Sequence, residues 1–195
     1  MNPLARPAFR KILAASIGAA FLSGAARAAD WTVDTDASAL GFVATQNGKA
    51  FEGRFETWTA DIAFDPTDLA ASRIAASISL ESAATGDKQR DKALPGSDWF
   101  NVKKTPTATF TSTEIVADPD GEGYLAKGVL DLRGVEKPLD LHFDVTIDGD
   151  AATARGEAII VRTEHGVGQG EFASGKWVSV DVKVTVDISA TKSPA

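Results

Sequence analysis

Two stretches of this chain alternate apolar and polar residues with a period of two, a pattern that suits a β-strand with one buried face and one wet face. Leu139, Leu141, Phe143, Val145 and Ile147 are interleaved with Asp140, His142, Asp144, Thr146 and Asp148. Val178, Val180, Val182, Val184, Val186 and Ile188 are interleaved with Ser179, Asp181, Lys183, Thr185 and Asp187. Weaker alternation marks Leu40-Phe42-Ala44, Ile74-Ala76-Ile78-Leu80 and residues 107–116. From Phe51 to Phe64 the apolar parity switches between Phe51-Gly53-Phe55 and Trp58-Ala60-Ile62-Phe64, which predicts a bulge near Thr57 where a strand bends round a barrel corner. Turn signals at Asn47-Gly48, Asp65-Pro66, Asp118-Pro119-Asp120-Gly121, Arg133-Gly134 and Asp148-Gly149-Asp150 separate the strands. About eight strands joined by short connections predict an all-β fold, an antiparallel meander closed into a barrel, over any α/β arrangement.

One segment interrupts the alternation. Between Thr85 and Val102 the chain is polar, carries Pro95-Gly96, and then presents Trp99-Phe100. It reads as a short helix over Asp87–Leu94 ended by Pro95, followed by a turn that throws two aromatic rings back toward the body. Such a connection serves either as a lid over a cavity or as a plug completing the core. The tail from Ala190 to Ala195 reads as frayed.

Ahead of the strands, Arg6, Arg10 and Lys11 precede an apolar run from Ile12 to Ala26 and the small-residue pattern Ala26-Arg27-Ala28. This is the succession of a secretory signal peptide, so residues 1–28 are expected to be removed, with export to the periplasm; the alternative is an uncleaved amphipathic anchor. Without them 16 basic residues face 27 acidic ones, a net charge of −11. A body this acidic disfavours nucleic acid and anionic membrane surfaces as partners. The absence of cysteine excludes disulfides, thiolate metal sites and cysteine nucleophiles.

Catalytic constellations are poor. Alternation puts His142 on an outer strand face, His165 falls in a Gly-rich loop, and both are expected at the surface. Two lone histidines without a thiol make no zinc site. Gly166-Val167-Gly168-Gln169-Gly170 lacks the following helix and the Lys-Ser/Thr of a phosphate loop. No acid/base pair can be nominated, so neither catalytic residues, nor a metal, nor a cofactor is expected. The inward positions mix Ala44, Gly53, Ala76, Ala108 and Gly128 with Phe42, Phe55, Phe110, Leu130 and Phe143. Residues alone leave open whether these interdigitate in a dry core or line a cavity.

Several separated pieces resemble the YceI-like family of bacterial secreted lipocalin-like proteins. They are residues 36–42 (Asp-Ala-Ser-Ala-Leu-Gly-Phe); Phe51-Glu52-Gly53-Arg54-Phe55 with Ile62-Ala63-Phe64-Asp65; Arg90-Asp91-Lys92-Ala93-Leu94 with Asp98-Trp99-Phe100; the stretch from Gly128 to Leu139; and Val161-Arg162-Thr163-Glu164-His165-Gly166. The resemblance implies an eight-stranded antiparallel lipocalin-like barrel over residues 29–190 with a helical insertion. It also implies an elongated apolar pocket for a polyprenyl lipid or isoprenoid quinone. Ala37 stands where many members carry His, and His165 where they carry Phe, departures that bear on the head group at the mouth and not on the barrel.

On that footing the expected ligand-binding residues are Phe42, Phe55, Trp58, Trp99, Phe100, Phe110, Leu130, Leu141, Phe143 and Arg162. Arg90, Lys92 and Arg162 are candidates for an anionic head group. Their alternatives are a solvated face or pairing with Asp87 and Asp91, and for Arg162 a pair with Glu164. The leading expectation is a non-enzymatic, monomeric or homodimeric lipid-binding protein that stores, shields or carries an isoprenoid. The runner-up is a quinone-presenting redox or stress accessory that meets a membrane cytochrome transiently.

Overall fold

The computed structural model describes residues 28–194. The expected signal peptide and its cleavage therefore lie outside the described residues, apart from Ala28. The elements are β1 (Ala29–Val33), β2 (Ala39–Gln46), β3 (Lys49–Phe55), β4 (Trp58–Phe64), β5 (Arg73–Ser79), β6 (Ala83–Ala84), α1 (Lys88–Ala93), β7 (Thr107–Ala117), β8 (Tyr124–Leu132), β9 (Val135–Asp148), β10 (Ala151–Val161) and β11 (Asp181–Lys192).

These strands form eight antiparallel ribbons, because three ribbons are each broken once. β1 and β2 run end to end along β11: Val33 faces Ala190, and Ala39 faces Asp187. Their break is an Asx turn in which the Asp34 carboxylate accepts from the amides of Asp36 and Ala37, both at 3.1 Å. β4 pairs with β1 and β5, while β3 pairs with β2 and β6. The expected bulge near Thr57 is a complete interruption at Glu56–Thr57. It is matched across the sheet by a 3-10 turn at Leu80–Ser82, whose Ser82 hydroxyl accepts from Thr57 N at 3.0 Å. The break resets parity, so that both Phe55 and Trp58 face inward.

β11 closes the barrel by pairing with β10 on one side and with β2 and then β1 on the other. The expected fraying from Ala190 onward is corrected: Thr191 and Lys192 pair with Thr32 and Trp31, and Ser193 N donates to Asp30 O at 2.8 Å. The end of β11 has a partner because β1 supplies the missing edge.

Antiparallel register sorts the connections between two ends. The 85–106 insertion, the turns at Asn47-Gly48 and Arg133-Gly134, and the 162–180 loop are at the upper end; the turns 65–72, 118–123 and 149–150 are at the lower end. The lower end is sealed by a cluster of Trp31, Phe64, Ile115, Ala126, Phe143, Ala152 and Ala190. Within it Trp31 Nε1 donates to Phe64 O at 3.1 Å, and the Phe64 ring packs edge-on to Tyr124 at 5.0 Å and to Phe143 at 5.8 Å.

Candidate functional site

Above that seal the barrel is not filled. A cavity of about 220 Å³ runs up its axis, lined by every second residue of the long strands, such as Leu40-Phe42-Ala44 on β2, Leu139 and Leu141 on β9, and Val182-Val184-Val186-Ile188 on β11. The pleat explains this wall: successive side chains point to opposite faces, so an alternating sequence delivers a continuous apolar lining. Two glycines keep the lumen clear. Gly53 lies opposite Phe42 in register, and Gly128 lies beneath the Phe110 ring; in each case a β-carbon would overlap the ring. Both phenylalanines thus lie flat against the wall.

The ceiling comes from the insertion, which contributes Leu94, Trp99 and Phe100, and from Val167 and Val178. Asp87 caps α1 by accepting from Gln89 N at 2.9 Å and Arg90 N at 3.0 Å, and these backbone hydrogen bonds hold its carboxyl below the usual range. Asp91 accepts from the Thr85 hydroxyl at 2.6 Å and from its amide at 2.7 Å, which lowers its pKa in the same way. The segment is then tied to two neighbours. Asp98 O accepts from Gly168 N and Gln169 N, both at 2.8 Å, and Arg133 Nη2 donates to Ser97 O at 2.6 Å. The insertion is thus a fastened ceiling.

Nine of the ten sequence-predicted binding residues line the cavity: Phe42, Phe55, Trp58, Trp99, Phe100, Phe110, Leu130, Leu141 and Arg162. Phe143 does not. It faces inward but pairs with Tyr124 and Gly156, low on the barrel, and belongs to the lower seal. Parity assigns a residue to a face and says nothing of its height.

Arg162 also departs from expectation. It is 3% exposed and has no carboxylate partner among the described residues, since Glu164 pairs with Lys137 at 4.0 Å. Its guanidinium donates to four main-chain oxygens: Nε to Ser179 at 2.8 Å, Nη1 to Val167 at 2.7 Å, and Nη2 to Phe172 at 2.6 Å and Val178 at 2.9 Å. The Trp99 ring covers it at 5.5 Å, and burial lowers its pKa. Four of its five N–H groups are thereby committed to organising the 166–178 loop. Gly168, at φ 82°, makes room for this, because a β-carbon there would collide with Nη1.

Arg90 sits at the rim, donating through Nε to Thr85 Oγ1 at 3.1 Å and through Nη1 to Gln46 Oε1 at 3.0 Å, with Asp87 at 3.8 Å. It covers the Phe51 ring at 4.4 Å, and Phe51 is where the cavity meets a shallow polar depression formed with Gln46, Asn47 and Lys49. Lys92 is exposed and outside this group.

Of the histidines, His142 is on the outer face as expected, with Nδ1 2.7 Å from Asp118 Oδ2. That hydrogen bond raises the His142 pKa and lowers that of Asp118. His165 is corrected: it is 3% exposed, turned inward by the 3-10 turn Arg162–His165, with Nδ1 2.9 Å from Val135 O. A turn ended by Gly166 at φ 67° carries no period-two signal that could have placed that ring.

A closed, up-and-down antiparallel barrel with an apolar bore, a sealed base and a fastened ceiling defines a lipocalin-like class of protein. Residues 31–190 match the YceI-like domain, and the chain belongs to the YceI-like family. A UPF0312 protein of Yersinia pestis is 34% identical over 145 residues, covering 72% of this chain and 74% of that one. A UPF0312 protein of Vibrio vulnificus is 34% identical over 120 residues, and the match spans only 63% of its length. Among solved structures, BcnA of Burkholderia cenocepacia superposes with a TM-score of 0.77 at 31% identity, over 82% of this chain and all of that one. A polyisoprenoid-binding domain from Saccharophagus degradans shares the fold, with a TM-score of 0.62 at 18% identity over 86% of this chain and 100% of its own.

Proposed function

We propose that this protein is an exported carrier that holds a long isoprenoid, a polyprenyl lipid or an isoprenoid quinone, along the barrel axis in the periplasm. The observation that carries the reading is the wall itself, a continuous apolar bore in which Arg162 is the one ionisable lining residue among the described residues. An isoprenoid chain needs no polar partner, and each buried methylene contributes about 0.8 kcal/mol. The polyisoprenoid binding named for the Saccharophagus domain of the same fold points the same way. Because Arg162 is committed to main-chain oxygens and neither His142 nor His165 is among the residues lining the bore, the reading makes this a binding protein and the lipid its cargo. Organic extraction of the protein purified from its own host, followed by mass spectrometry, tests it. A stoichiometric polyprenyl species is expected, and whether a quinone or a polyprenol is recovered separates electron delivery from storage. A protein that carries no lipid and takes up none of a series of polyprenols overturns the reading.

A further inference from the structure

We propose that the upper end of the barrel docks on the surface of an anionic phospholipid bilayer. Net charge argues the reverse only if charge is spread evenly, and here it is not. The lower turns, residues 65–72, 118–123 and 149–150, hold six Asp and Glu and no Lys or Arg. The upper connections, residues 47–49, 85–106, 133–134 and 162–180, hold nine Lys and Arg against five Asp and Glu. More than half of the 16 basic residues beyond position 28 are therefore gathered at one end, although residues 29–195 together carry a net charge of −11.

Pairing is uneven as well, although the upper end holds Arg90 with Asp87 at 3.8 Å and Lys137 with Glu164 at 4.0 Å. On the barrel wall Lys127 meets Glu114 at 3.0 Å, Lys183 meets Glu157 at 3.1 Å and Arg155 meets Asp187 at 3.2 Å. At the upper end Lys49, Lys88, Lys92, Lys103 and Lys104 are exposed and form no ion pair among the described residues. An eleven-residue strand such as β10 spans roughly 36 Å, so even when tilted it separates the ends by more than two Debye lengths at physiological salt. A surface approached by the upper end is thus screened from the acidic end. The same rim carries Trp177, 42% exposed, with Lys176 Nζ 4.7 Å above its ring and its carbonyl held by Asn47 N at 2.9 Å. An exposed indole among unpaired lysines has the chemistry of the bilayer interface, where the ring sits at headgroup level and the ammonium groups meet phosphates. An acidic protein surface would use the lysines and leave the indole in water.

The inference rests on the isoprenoid reading for its purpose, since that cargo resides in membranes and the cavity meets the surface at this end, beside Phe51. Its test is separate. The purified protein is floated with vesicles of phosphatidylcholine containing either none or roughly 30 mol% phosphatidylglycerol. Flotation is expected with the anionic vesicles alone and should be abolished in about 0.5 M salt. Replacing Lys88, Lys103 and Lys104 by Gln should weaken binding on the order of a hundredfold, at about fivefold per basic side chain near the surface. The wall variant Lys127→Gln/Arg155→Gln/Lys183→Gln, with the same change in net charge, should bind like the wild type. No flotation with anionic vesicles, equal flotation with both, or equal loss in the two triple variants overturns the proposal. Extraction of the same preparation reports on the cargo independently. Protein that carries isoprenoid yet ignores anionic vesicles refutes docking and leaves the cargo reading standing, and protein that floats while binding no isoprenoid does the opposite.

Discussion

The ring of Phe42 lies directly over Gly53 on the neighbouring strand, in register, where a β-carbon at position 53 would overlap its far edge. The glycine gives the ring a place on the wall, and the ring covers the backbone that the glycine leaves bare. Gly53→Ala should therefore tip the Phe42 ring into the bore. A loss of about 1–3 kcal/mol of stability is expected from overpacking, together with reduced isoprenoid uptake. Thermal melts and lipid extraction check the pair of effects, and Gly53→Ala/Phe42→Leu should recover much of both.

Leu141 lines the cavity and its neighbour Asp140 is exposed. Leu141→Lys places an unpaired ammonium in an apolar wall and should abolish isoprenoid binding with a marked drop in melting temperature. Asp140→Lys should stay within about 0.5 kcal/mol of the wild type and bind normally. Equal behaviour of the two variants in parallel melts and extractions would contradict the inward parity of β9.

Removing the Arg162 guanidinium deprives four main-chain oxygens of their donor. Hydrogen bonds to a charged group contribute about 1.5–3 kcal/mol each, but relief from burying an unpaired cation offsets part of the loss, so Arg162→Met should cost roughly 2–4 kcal/mol in net stability. Arg162→Lys should be nearly as damaging, because an ammonium cannot span the fork that reaches Ser179, Val167, Phe172 and Val178. Hydrogen exchange should show residues 166–178 opening first in both variants.

His142 bonded to Asp118 should titrate above the usual histidine range, and Asp118→Asn should return it toward 6.5. The raised histidine contributes stability that is full below its unfolded pKa and is lost as pH rises through its folded pKa. The depressed Asp118 contributes stability that is present above its unfolded pKa and is lost as pH falls through its folded one. The pair therefore stabilises most between the two, in mildly acidic solution. NMR titration of the His142 ring checks the first point, and melts across that range in wild type and Asp118→Asn check the second.

The eight ribbons, the helix over 88–93 and the inward face of β9 were legible because each follows from a local rule: alternation on a pleat, Asp87 as a cap, and Pro95 as a stop. The height of Phe143 was not, because it depends on which residues of β8 and β10 lie beside it, and pairing register is set by the closed barrel. Nor was the burial of Arg162 and His165, which depends on left-handed glycines at 166 and 168 folding a loop back on itself. The gathering of nine Lys and Arg in the upper connections was not legible in composition either, because a sum over the chain carries no information about which end a charge occupies.

The aromatic seal of Trp31, Phe64 and Phe143 makes the bore a blind shaft. A linear molecule entering it can be gripped only as far as the bottom, so the shaft acts as a ruler. Affinity should climb with each added isoprene unit until the leading end reaches Phe64, and then level off, because further units stand outside the wall and gain nothing from it. Only one end of any occupant can face the opening, so a molecule with distinct ends is held with a fixed polarity, and a second cannot enter until the first has backed out.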